Sequence, residues 1–174
     1  MNQRRVIQDQ LCVHFITFSC YLRRTILSLD GCKRIVLGNL NSSLEKYSGL
    51  CLGFVLMPNH VHALVWFPEP KKLSPFMNLW KSGSSHFVKQ TLREQHASYW
   101  ATLGEETAIW QPRYYDFNIV TRKKIEEKLD YMHMNPVGAG LVERAIDWPC
   151  SSAGWYLGQK SVGVPIRWSE VDLV

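Results

Sequence analysis

The stretch Leu50-Cys51-Leu52-Gly53-Phe54-Val55-Leu56-Met57-Pro58-Asn59-His60-Val61-His62-Ala63-Leu64-Val65-Trp66 decides the fold. Its first part is apolar and β-prone. Pro58 and Asn59 are turn residues. The residues after them are β-prone again, so the whole reads as a hairpin, with strands over about 50–57 and 60–67. Side chains alternate faces along a strand. His60, His62 and Leu64 therefore share one face. Val61, Ala63 and Val65 share the other, which reads as core. Two imidazoles on one face are close enough to hold one divalent cation. The same spacing also fits two strand histidines with no ligand.

Working outward towards the N-terminus, Val13 to Cys20 reads as a first strand. Phe15, Thr17 and Ser19 lie on one face of it, and His14, Ile16 and Phe18 on the other. Arg23 and Arg24 stand at its exit. Asp30 to Tyr47 reads as a helix with Asp30 as N-cap and Ile35, Leu37, Leu40 and Leu44 on its buried side. Residues 1–10 are polar and expected to be loose.

On the other side of the hairpin, a helix is expected from Ser74, with Pro75 in its first turn. Phe76, Leu79, Trp80, Phe87, Val88 and Leu92 form its apolar side. Lys81, Ser82, Ser84, Ser85, His86, Lys89 and Arg93 make the opposite side basic and hydroxyl-rich. Residues 95–109 read as loop or frayed helix. Tyr114 to Ile119 reads as a fourth strand. Thr121 then caps a third helix, Arg122 to Met134, which Pro136 is expected to stop. A tail without clear periodicity runs from Leu141.

The order β-α-β-β-α-β-α predicts an α+β, ferredoxin-like (split βαβ) fold: an antiparallel four-stranded sheet with two helices on one face. The third helix then takes the other face or an edge. Residues 1–142 are expected to form one domain, with 143–174 as a C-terminal tail packed on it.

The 174 residues suit one domain, and the net charge of +5 suits a polyanionic partner. Residues 1–40 hold much of that excess, with Arg4, Arg5, Arg23, Arg24, Lys33 and Arg34 against Asp9 and Asp30. The five cysteines include no C-x-x-C pair, which argues against a zinc ribbon or a disulfide scaffold. There is no signal-peptide pattern and no apolar run of transmembrane length. A soluble intracellular protein is expected.

The third helix has a buried stripe and a polar flank. At about 100° per residue, Ile125, Leu129 and Met132 form the stripe. Tyr131 and Asn135, one turn apart, fall on a flank with Lys124 and Lys128. Alone, this fits a boundary tyrosine beside solvated lysines. Combined with the histidine pair, it resembles a nuclease or strand-transfer site.

Four motifs carry a wider resemblance. They are Met57-Pro58-Asn59-His60-Val61-His62, Trp110-Gln111-Pro112-Arg113-Tyr114-Tyr115-Asp116, Tyr131 through Val142, and Trp148-Pro149-Cys150-Ser151-Ser152. Together they resemble the REP-associated tyrosine transposases of the single-tyrosine His-hydrophobic-His (HUH) superfamily. The resemblance implies cleavage of single-stranded DNA at palindromic repeats that fold into hairpins, with Mg2+ or Mn2+. It implies that His60 and His62 bind the metal, that Asn135 adds a ligand, and that Tyr131 is the nucleophile of a 5′-phosphotyrosine intermediate. Relatives often carry arginine where this chain has Gly138.

DNA contacts are expected from Arg23, Arg24, Lys81, Lys89, Lys124 and Lys128. The expected partner is single-stranded or hairpin DNA, with no membrane, in the cytoplasm at the nucleoid. A monomer is expected over a homodimer with shared active sites. Two rival readings are a catalytically silent hairpin-binding module of this fold and an RRM-type RNA-binding protein. The second lacks the aromatic RNP run.

Overall fold

The computed structural model describes residues 11–104, 107–168 and 171. Residues 1–10, Glu105 and Glu106 lie outside them. Strands β1 (Val13–Ser19), β2 (Leu50–Met57), β3 (His60–Trp66) and β4 (Tyr115–Ile119) form one antiparallel sheet in the order β2-β3-β1-β4. Helix α1 (Asp30–Lys46) joins β1 to β2. Helices α2 (Leu73–Gln95) and α3 (Ala97–Leu103) lie between β3 and β4. After β4 come α4 (Arg122–Gly138) and α5 (Ala153–Gly158). This is the α+β, split βαβ arrangement, with the chain continued beyond it. No helix among the described residues is long and apolar enough to cross a membrane.

Alternation along the strands builds a core on each face of the sheet. On one, Ile16, Phe18, Val61 and Ala63 pack with Val36, Leu40 and Trp80 from α1 and α2. Trp80 Nε1 donates to the Val36 carbonyl at 2.9 Å, joining the two helices. On the other, Phe15, Val55 and Leu64 pack with Ile125, Leu129 and Met132 of α4. The stripe read from helix spacing is thus the one that is buried. Because α4 covers this second face, the sheet lacks the open platform on which an RRM stacks bases.

α4 meets β2 at Gly53, where a Cβ would stand 2.4 Å from Leu129 Cδ2. A register shift between Cys51 and Gly53 accompanies the close approach. The tail follows the outer edge of β2. Leu56 N–H donates to the Cys150 carbonyl, Ser152 N–H to Phe54 and Arg167 N–H to Cys51, each at 2.9 Å. Ser152 Oγ accepts from Phe54 N–H at 2.9 Å and meets His133 Nε2 at 2.8 Å. Tail, strand and α4 are therefore joined at one point.

Several local expectations need correction. α4 does not stop before Pro136 but runs through it to Gly138. The proline falls in the last turn, so little helix remains to be disrupted. The end is closed by Gly140 at φ 69°. There Leu141 N–H donates to the Pro136 carbonyl and Gly140 N–H to Val137, both at 2.9 Å, the pattern of a Schellman motif. Asp30 is not the N-cap of α1. It lies inside the first turn and pairs with Lys33 at 2.8 Å, while Leu29 takes the cap position. Cys32, Val36, Leu40, Ser43 and Leu44 are the buried side of α1, and Ile35 and Leu37 are only partly covered. Phe87 is exposed on α2. Residues 95–109, read as loop or frayed helix, include the short helix α3, while the tail, read without periodicity, contains α5.

Candidate active site

β3 delivers both histidines to the face that α4 covers. Cross-strand register sets Thr17 of β1 opposite His62 and Ser19 opposite His60. Thr17 Oγ1 lies 2.7 Å from His62 Nδ1, and Asn59 Oδ1 lies 2.7 Å from His60 Nδ1. With those oxygens accepting from N–H, both Nε2 atoms keep their lone pairs. The outer partner of an imidazole thus selects the tautomer that can ligate. The two rings stand 4.8 Å apart. His62 also stacks on Phe15, with centroids 5.5 Å apart and planes 14° apart.

α4 overhangs this pair. The exposed Tyr131 ring meets His62 edge-on at 5.5 Å. One turn later, Asn135 Nδ2 donates to His62 Nε2 at 3.3 Å. Rotating that amide by half a turn brings Oδ1 to the same place. Lys128 Nζ lies 4.5 Å from the Phe15 ring centroid and 5.5 Å from those of Phe117 and Tyr131.

The electrostatics favour neutral imidazoles. Burial first, then the charges of His60, Lys128 and Arg23, push His62 down to about 3. Burial and Arg23 lower His60 as well. Neutral imidazole is the form that binds metal. Among the described residues no three His, Cys, Asp or Glu side chains converge as a metal site. The donor set that can hold a cation is two imidazoles and one amide oxygen, a mixture suited to Mn2+ and acceptable to Mg2+. So few protein ligands leave room for water and a phosphate oxygen.

A sequence profile described as "Transposase IS200 like" matches residues 7–135, a span that includes His60, His62, Tyr131 and Asn135. The chain belongs to the IS200-like transposase family. This transposase is 27% identical over 136 residues to a Haemophilus influenzae protein named provisionally as a REP-associated tyrosine transposase, covering 74% of this chain and 76% of that one. It is 30% identical over 99 residues to the REP-associated tyrosine transposase of Escherichia coli, covering 57% of this chain and 51%, about half, of the relative. A solved structure, a REP-associated tyrosine transposase bound to a REP hairpin, has the same fold. Its TM-score is 0.70 at 22% identity, over 100% of this chain and 94% of that one.

The basic residues singled out in the transposase sequence fall into separate groups. Arg23 and Lys128 flank the histidines closely enough that their charges act on His62. Arg24 donates to the Thr107 hydroxyl and lies 5.7 Å from the Tyr21 ring centroid. Lys81 Nζ donates to the carbonyls of Gln111 at 2.7 Å and Pro112 at 2.9 Å, anchoring the loop before β4. Lys89 lines an open groove with Ser82, Ser85 and Trp110. Lys124 pairs with Glu127 at 2.6 Å on the surface of α4. Gly138 is exposed, with open space where a side chain would stand.

Sequence reasoning misses the supports. Alternation puts Thr17 on the correct face, but its partnership with His62 depends on strand register. Asn59 reads as a turn residue only. Ser152 belongs to a motif without an evident physical role in the sequence, and nothing local marks Gly53 as a contact point.

Proposed function

We propose that this transposase is a metal-dependent endonuclease and strand transferase for single-stranded DNA bearing a hairpin, and that Tyr131 is its nucleophile. One observation carries the reading: a tyrosine, an amide and two neutral imidazoles from α4 and β3 meet within one chain. The hairpin bound to the solved relative supports the same substrate class here. A single chain holds the whole set, which supports action as a monomer.

His60 Nε2, His62 Nε2 and Asn135 Oδ1 would hold the divalent cation. When bound, it neutralises charge on a non-bridging phosphate oxygen. Thr17 and Asn59 keep the imidazoles aimed. The Tyr131 oxygen forms a bond to phosphorus as the bond to the 3′-oxygen breaks. The phenol proton passes to solvent, and the departing oxygen gains a proton as a free 3′-OH. The 5′-phosphotyrosine remains a phosphodiester, so a second 3′-OH can reverse the step on another strand without ATP. Lys128 and Arg23 supply positive charge beside the transferring group, and Arg24, Lys81, Lys89 and Lys124 are proposed as more distant phosphate contacts.

The test compares wild type, Tyr131→Phe and Tyr115→Phe, each incubated with a labelled single-stranded hairpin and Mn2+, on denaturing gels. A protease-sensitive shifted band should be lost only in Tyr131→Phe. Its stability should change by no more than about 1 kcal/mol. A band that survives in that variant makes another residue the nucleophile. His60→Ala and His62→Ala should remove cleavage and weaken Mn2+ binding in calorimetry, while hairpin binding persists. Unaltered Mn2+ affinity in both would remove the metal assignment.

A further inference from the structure

Leu22 and Arg23 follow β1 and are both left-handed, at φ 53° and φ 56°. Side chains with a Cβ rarely adopt this region. Two in succession is the pattern of a type I′ turn, which favours Asn-Gly. The turn is held from several sides. Arg24 N–H donates to the Tyr21 carbonyl at 3.2 Å, Arg23 N–H to Cys20 at 3.0 Å and Tyr21 N–H to Ile109 at 2.8 Å. The Arg24 guanidinium fixes the far end through Thr107 and the Tyr21 ring. Strain of this kind persists only where surroundings over-determine it, and it collects at functional sites.

The turn is built against the histidine hairpin. Cys20 N–H donates to the Asn59 carbonyl at 2.8 Å, and Leu27 N–H to Pro58 at 3.0 Å. Asn59 is also the residue that orients His60. What the turn presents is unusual for a turn. Leu22 is 63% exposed. Arg23 is exposed, with no side-chain hydrogen bond or ion pair among the described residues. Its charge reaches both imidazoles. Asparagine or glycine would satisfy this backbone better, and neither side chain contributes to the core. No contact among the described residues accounts for leucine and arginine at these two positions.

We propose that the Leu22-Arg23 turn grips the strand to be cut, Arg23 pairing with a phosphate beside the histidine pair and Leu22 packing against the neighbouring unpaired base. This rests on the reading of that pair and Tyr131 as a DNA-cleaving site. The chemistry fits: cations position phosphates, and apolar side chains wedge against bases. Arg23 and Arg24, adjacent in sequence, then have different tasks. Arg24 secures the turn and meets phosphate only at a distance, whereas Arg23 uses the turn at the site.

The experiment places Leu22→Gly, Arg23→Gly and Arg23→Lys in the full chain. Thermal unfolding is measured for each. Binding of a fluorescent mixed-sequence single-stranded oligodeoxynucleotide is measured by anisotropy across a salt series. Both glycine variants should unfold at higher temperature than wild type and yet bind more weakly. Leu22→Gly should lose about fivefold or more in affinity with its salt dependence unchanged, as for a leucine no longer covered by DNA. Arg23→Gly should make the negative slope of log affinity against log salt shallower by about 0.7, and Arg23→Lys should restore it. Glycine variants that gain stability but bind as wild type would overturn the proposal. So would variants that lose stability and affinity together, because the turn would then be structural. The readout needs no turnover, so failure of the adduct assay and failure of this proposal are separate results.

Discussion

Replacing Gly53 with alanine tests whether α4 sits at the distance its chemistry requires. The added Cβ would stand 2.4 Å from Leu129 Cδ2, 3.1 Å from Ser152 Oγ and 3.2 Å from Met132 Cε. Carbon pairs rest at about 3.5–4.0 Å, so the closest contact is short by about 1 Å. Leu129 and Met132 are buried, which leaves their side chains little room to swing. What rotation of these side-chain ends does not absorb passes to α4 or to β2. Overpacking of this kind costs about 1–3 kcal/mol. For a chain of this length, each kcal/mol lowers Tm by about 2–4 °C, so a fall on the order of 5 °C is expected. Tyr131 and Asn135 ride on the same helix. A misplacement of about 1 Å at reacting groups can cost roughly a hundredfold in rate. Adduct formation should therefore fall much further than DNA binding. Gly38→Ala is the internal control. Gly38 lies in α1 with open space around it, and alanine there should stabilise by about 0.5–1 kcal/mol. Circular dichroism melts and single-turnover adduct formation on a labelled hairpin with Mn2+ measure both effects. A Gly53→Ala protein with wild-type Tm and wild-type rate would refute the claim that this contact positions α4.

Two further outcomes are expected away from that contact. Burial alone would lower the His14 pKa, but hydrogen bonds and charges from Asp116, 3.2 Å away, and Cys12 carry it up to about 9. The pair's stabilisation is therefore full below about pH 6.5 and is lost as pH rises through about 9. The stability gap between wild type and Asp116→Asn, measured in urea, should shrink across that window, and a gap that stays constant would exclude the linkage. Lys128→Ala should slow adduct formation strongly, whereas Lys124→Ala, which breaks an exposed pair with Glu127 and removes a phosphate contact distant from the histidines, should change stability by less than about 0.5 kcal/mol and leave the rate on bound DNA near wild type. Equal rate losses in the two would remove the distinction between these lysines.

What is legible in the chain is local. The hairpin, its turn and the two faces of β3 follow from period-two alternation. The α4 stripe follows from helix spacing, and the same spacing brings Tyr131 and Asn135 to one flank. What escapes is set by distant partners. Thr17 meets His62 through sheet register, and Ser152 reaches Phe54 and His133 across the fold. The preference against helix before proline is statistical, and burial of Ile125, Leu129, Met132 and Pro136 overrides it at Asn135. Phe87 looks like core because it is apolar, although its place on α2 turns it to solvent. The lysines show in sequence which way they could point, but not that Lys81 and Lys124 have protein partners close at hand.

β2 is buried along all eight residues, yet it is the outermost strand on its side of the sheet. Its unpaired backbone groups are met by Cys150, Ser152 and Arg167, while Trp148 Nε1 donates to the Leu56 carbonyl and the Tyr156 hydroxyl to Leu52. An apolar strand with a bare edge is a template for pairing with other chains. Without the segment that begins at Trp148, the run from Leu50 to Met57 would be sticky in the sense of amyloid-forming segments: apolar, uncharged and free of proline. The Trp148-Pro149-Cys150-Ser151-Ser152 motif therefore acts as a built-in guard against aggregation. Chains cut short before it would be expected to precipitate as they fold, with the histidine pair intact in sequence but stranded in an insoluble product.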